Sequence, residues 1–124
     1  MTMSVGIVDK RTSDRAHDYT RLTFTVVSAT NGTASGTTTR RITGEVWRVV
    51  FVPAAAGSQP SDQFDVTITD ENGYDILCGL GADISNAATT TVTSAMGAVV
   101  GDKLTLNGSN IGDTKGFTCY LYIK

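Results

Sequence analysis

A single histidine, His17, stands in this chain of 124 residues, between Ala16 and Asp18 in a polar N-terminal stretch. General-base catalysis near neutral pH needs an imidazole held firmly against its target, and nothing around His17 patterns as an element that could hold it. A solvated or interfacial histidine is expected. The carboxylates gather elsewhere, as Asp62, Asp65, Asp70, Glu71, Asp75 and Asp83. Paired acids can cleave glycosides and clustered acids can bind calcium, but these lack the order Asp-x-Asp-x-Asp-Gly. Asp70-Glu71-Asn72-Gly73 is accounted for by a tight turn, whose conformations Asp, Asn and Gly favour. Gly79-Leu80-Gly81 lacks the third glycine of a dinucleotide fingerprint. Cys78 and Cys119 are too few for a zinc site; each lies in an apolar run, which favours buried thiols, with a disulfide between neighbouring strands as the alternative. The residues therefore point to no catalytic group, no metal and no cofactor.

The elements that would carry these residues are strands. Twenty threonines and 13 glycines favour pleated segments joined by tight turns, because a β-branched side chain is stiff at χ1 and glycine supplies positive φ. Period-two alternation recurs throughout. Leu22, Phe24 and Val26 alternate with Thr23 and Thr25. Ile42, Val46, Val50 and Val52 fall on one side of a strand whose other side holds Glu45, Trp47, Val49 and Phe51, and Pro53 ends it. Phe64, Val66 and Ile68 lead into the turn at residues 70–73, and residues 74–78 are predicted to return as the second arm of a hairpin. Residues 88–93 read as an edge strand and 102–107 as a short strand with Leu104 and Leu106 inward. In the last strand Phe117, Cys119, Leu121 and Ile123 share one face, Tyr120 and Tyr122 the other. The Asn31-Gly32 turn and the small-residue tract through Thr39 read as a flexible hairpin loop.

The fold class that follows is all-β: a single antiparallel β-sandwich, jelly-roll-like or a small barrel, over residues 20–124, with an extended N-terminal arm at residues 1–19 for which one edge strand, over residues 5–8, is the alternative. The predicted core holds Leu22, Phe24, Val46, Val50, Val66, Ile68, Leu104, Leu106, Leu121 and Ile123; Trp47 is expected inside it as well. Ten Lys and Arg against 12 Asp and Glu give a formal net charge of −2, so no global basic field draws in nucleic acid. No apolar run is long enough for a membrane helix and no secretory leader is visible, which leads to an expectation of synthesis in a cytoplasm without membrane attachment.

The segment 44–82, which runs Gly-Glu-Val-Trp-Arg-Val-Val-Phe-Val-Pro, a small-residue loop, then Phe-Asp-Val-Thr-Ile-Thr-Asp-Glu-Asn-Gly-Tyr-Asp-Ile-Leu and Gly-Leu-Gly-Ala, resembles a group of small β-rich structural proteins of tailed bacteriophages. Asp102-Lys103-Leu104-Thr105-Leu106 and residues 117–124 are similar too. The resemblance implies a non-enzymatic capsid decoration (cement) protein on the outer surface of the virion head, made in the host cytoplasm, partnered by the major capsid protein and by itself as a homotrimer. A head–tail connector or tail component, and a carbohydrate- or receptor-binding module, are the alternatives. Contact with the capsid is expected from the arm, where Val5, Ile7 and Val8 could add a strand to a neighbouring sheet while Lys10, Arg11 and Arg15 meet acidic groups, with Tyr120 and Tyr122 as a second surface.

Overall fold

The computed structural model describes residues 3–13, 18–94 and 96–124, for 11–13 and 18 the backbone alone. Among the described residues nine strands follow in chain order: β1 (Ser4–Ser13), β2 (Asp18–Val27), β3 (Ala34–Thr37), β4 (Ile42–Pro53), β5 (Asp65–Thr69), β6 (Thr90–Val92), β7 (Ala98–Asp102), β8 (Thr105–Ser109) and β9 (Gly116–Ile123). They form a six-stranded sheet in the order β1-β2-β9-β4-β6, with β7 also on β4, and a three-stranded sheet in the order β3-β8-β5. Every pairing is antiparallel. The two sheets pack as a β-sandwich.

Alternation decides which face goes inside. Leu22, Phe24 and Val26 of β2 and Phe117, Cys119, Leu121 and Ile123 of β9 are buried, and they meet Val66, Ile68 and Leu106 from the small sheet. Phe64 packs on Phe117 at 4.8 Å between ring centroids. All ten residues expected in the core are buried. Removing a large apolar side chain of this kind from water contributes roughly 1.5–3 kcal/mol.

The phase of β4 departs from the sequence reading. Val46 pairs with Ile123 and Arg48 with Tyr122, so Trp47 is one residue too many for the ladder and forms a bulge. A bulge places two residues opposite one. Before it, Ile42 and Val46 point inward; after it, Val49 and Phe51 do, both fully buried. Val50 and Val52 thus lie on the opposite side from Val46. Val50 is buried there all the same, whereas Val52 is only half-buried.

The N-terminal segment is extended, but over Ser4–Ser13 it does not project as an arm. Its ten residues pair in unbroken register with β2, from Ser4 opposite Val27 to Ser13 opposite Asp18. Val5 and Ile7 pack against the core. A Cβ built on Gly36 of β3 would lie 2.7 Å from the Cβ of Val5, so the small-residue tract exists for close packing of β3 under β1. That corrects the flexible loop expected at residues 31–39: Ala34 is buried and β3 pairs with β8. Buried Thr38 closes the segment, its hydroxyl donating to the Arg40 carbonyl at 2.9 Å and accepting the Leu104 N–H at 3.0 Å.

The hairpin predicted around residues 70–73 is only half formed. β5 pairs with β8 rather than with residues 74–78, which curl into successive turns joined to β5 by a single bridge, Thr69 to Asp75. The carboxylate of Asp75 organises them by accepting backbone N–H groups from Ile68 at 3.2 Å, Leu77 at 3.1 Å and Gly79 at 3.0 Å. A local acceptor of this kind outcompetes a ladder for the same donors. Asp75→Ala is expected to destabilise the fold by about 1–3 kcal/mol, read as a lower midpoint in urea, with Asp75→Asn recovering part of the loss.

Candidate functional site

The outward side of the large sheet gathers side chains in cross-strand rows. Directly paired residues of antiparallel strands share a face. Lys10 pairs with Arg21, Arg21 with Tyr122, and Tyr122 with Arg48, which makes one row across β1, β2, β9 and β4. The next row runs Val8, Thr23, Tyr120, Val50 and Thr91. Beyond the first row lie Tyr19, Trp47 and Lys124.

These groups hold one another. The Arg21 guanidinium lies 5.6 Å from the Tyr120 ring centroid, that of Arg48 5.2 Å from Tyr122, and the Lys124 ammonium 5.8 Å from Trp47. Each cation is drawn to the electron-rich face of its ring. Trp47 meets Tyr122 edge-on at 5.6 Å between centroids, and Tyr19 lies 6.3 Å from Tyr122. Tyr122 is the centre of the group. The Nε atoms of Arg21 and Arg48 and the indole Nε1 of Trp47 are covered, with no acceptor in the described protein.

The ion pairs among the described residues lie elsewhere. Arg40 clasps Asp9, one of its bonds an Nη2–carboxylate contact of 3.0 Å, and Arg41 meets Glu71 at 2.7 Å. That contact, with the Arg41 hydrogen bond as its largest contribution, holds the Glu71 carboxyl below its usual range. Asp9 is therefore committed to Arg40. Glu45 sits at the margin of the cationic face, exchanging backbone hydrogen bonds with Lys124 at 2.8 and 3.0 Å.

Of the residues expected to bind, the structure brings Val8, Lys10, Tyr120 and Tyr122 onto this one face. Val8 is 64% exposed. Val5 and Ile7 turn the other way, against the core, because they alternate with Val8 along β1. Their side chains serve the sandwich, while β1 itself remains an outer strand of the large sheet. The Arg11 side chain, together with Arg15 and His17, lies outside the described residues. Trp47 is also corrected: the bulge puts it on the outer face. Arg48 escaped the sequence reading, and Arg21, which continues the outward series Thr23 and Thr25, joins it on this face.

Asp62, Asp83 and Asp113 line a shallow cleft of about 540 Å³ with Asn31, Asn110 and Gly112. Neighbouring carboxylates tie the loops there: Asp65 accepts the Asp83 N–H at 2.9 Å and Asn110 Nδ2 at 3.0 Å, and Asp62 accepts the Asn86 N–H at 3.2 Å. Among the described residues, no group of three or more His, Cys, Asp or Glu is placed to hold a metal ion.

Both cysteines are free, which settles the disulfide alternative. Cys119 is buried, as expected, and burial pushes its thiol far above the ordinary range. Cys78 is exposed, contrary to the buried thiol expected for it, because the turns after Asp75 carry it to the surface beside the Tyr74 hydroxyl at 3.2 Å. The thiolate is the reactive form. A thiol reagent should label one cysteine per folded chain and two in denaturant; two fast equivalents in the native protein would contradict this burial.

Comparison with known proteins finds no matching family model, no matching curated protein and no matching solved structure. The class defined by fold and site is an antiparallel β-sandwich with a cationic, aromatic outer sheet face.

Proposed function

We propose that this chain is a structural protein of a tailed-bacteriophage virion, a capsid decoration protein that binds the outside of the head and reinforces the shell by adhesion, without catalysis. The observation that carries this reading is the outer sheet face, on which Lys10, Arg21, Arg48 and Lys124 lie among Tyr19, Trp47, Tyr120 and Tyr122. The resemblance to small phage β-proteins supports it, and residues 44–82 and 117–124 supply the two strands, β4 and β9, at the centre of that face. The major capsid protein is the partner, and the copies act as a homotrimer. A glycan platform would offer bare aromatic faces to sugar rings, whereas Tyr120, Tyr122 and Trp47 each already carry a cation.

Cryo-electron microscopy of the particle tests the proposal. β-sandwich density on the outer shell, in threes and with this sheet face toward the capsid, is the expected result. Density confined to the neck or tail would overturn it in favour of a connector or tail component. Sedimentation equilibrium of the purified protein checks the trimer separately.

A further inference from the structure

We propose that the row Lys10–Arg21–Tyr122–Arg48 is a carboxylate-recognition site that docks an acidic segment of a partner protein. The inference deepens the adhesive reading above by naming the chemistry of the surface that is bound.

Three observations converge on it. First, the row concentrates positive charge on a chain whose overall charge is −2, and it sets Lys10 directly opposite Arg21. Like charges paired across strands destabilise a sheet, so this pairing works against the fold. The placement gains a purpose when an anion bridges the two. Second, Arg21 and Arg48 have no carboxylate partner among the described residues, while Arg40 and Arg41 each have one. Third, among the covered donors that lack an acceptor, Arg21 and Arg48 each count only their Nε, so an incoming carboxylate has to meet either guanidinium at its Nη end.

The geometry selects the kind of anion. A guanidinium already held against a tyrosine ring has little freedom left to lose on binding, and its planar fork matches a carboxylate. Arg21 and Arg48 flank Tyr122 on the strands to either side, so their backbones stand roughly 10 Å apart, two strand spacings. That separation suits two acidic side chains on one partner surface rather than a single small anion. Single-stranded nucleic acid binds such sheet faces by stacking bases on open rings, and here the cations already cover Tyr120, Tyr122 and Trp47.

The test uses the full chain and a hexaglutamate peptide, followed by fluorescence of Trp47, the only tryptophan, with oligothymidylate as the competing polyanion. The expected result is saturable peptide binding that weakens with salt and whose Kd rises about tenfold or more in Arg21→Gln and in Arg48→Gln. Arg41→Gln, which removes an arginine already paired with Glu71, should leave Kd unchanged. Arg21→Lys and Arg48→Lys keep the charge but not the fork and should retain only part of the affinity, with far-UV circular dichroism confirming that each variant is folded. Peptide binding indifferent to both glutamine variants, or lost equally in Arg41→Gln, would overturn the proposal. So would tighter binding of oligothymidylate than of hexaglutamate. A chain that binds the peptide but is absent from the shell of the particle would sink the capsid-decoration reading and leave this one standing.

Discussion

A chain lacking residues 1–13 should fail to form a stable domain. β1 contributes ten residues in continuous register with β2, and its ladder hydrogen bonds are each worth roughly 0.5–1.5 kcal/mol net. Val5 and Ile7 also leave the core margin when β1 is removed. The sum is several kcal/mol, against a total stability of about 5–15 kcal/mol for an ordinary domain. Removal further converts β2 into an open edge, a template for pairing between chains. The expected outcome is insoluble protein or, if some stays soluble, a melting temperature lower by about 15 °C or more. A truncated chain that melts with the intact one would mean that the first strand is dispensable to the sandwich.

Phe51→Ala should cost about 3–5 kcal/mol and Val52→Ala less than about 1 kcal/mol, although the two residues are neighbours on one strand. Phe51 is fully buried, and truncating it leaves a cavity between the sheets. Val52 is half-buried on the other face, paired with Thr118. The difference reads the phase of β4 directly. Uninterrupted alternation from Val46 would place Val52 inside and Phe51 outside, reversing the order of the two effects. Urea denaturation of both variants decides between them, and comparable losses would argue that the Trp47 bulge is absent.

The same strand shows why some features were legible in the sequence and others were not. Where alternation ran unbroken, as at Leu22-Phe24-Val26 and Phe117 to Ile123, the core face could be read directly. β4 carried apolar residues on both faces, so a one-residue insertion left no trace in its pattern. β3 was concealed by small residues whose value lies in proximity to Val5, a contact between segments distant in sequence. Residues 74–78 looked like a strand because Ile76 and Leu77 are apolar, and both are indeed buried; three hydrogen bonds to one carboxylate, which composition does not reveal, bend them into turns. The cationic face is a product of topology. Lys10 and Arg21 meet across the β1–β2 pair, and Arg48, distant in sequence from both, joins them only when β9 places Tyr122 between β2 and β4.

That central position of β9 has a consequence for how the protein is made. β2 and β4 are synthesised well before β9, yet neither touches the other, and both wait for the strand that separates them. The ribosome therefore releases two long strands with unsatisfied edges before their common partner emerges. Pairings this distant in sequence pay their loop-closure entropy late, which places folding on the slower, millisecond-to-second side for domains of this size. Through that interval the nascent chain is open to its neighbours on the same polysome. High-level expression should accordingly favour aggregation in proportion to synthesis rate, and slowing translation by lowering the temperature should raise the soluble yield more than any change to the finished fold.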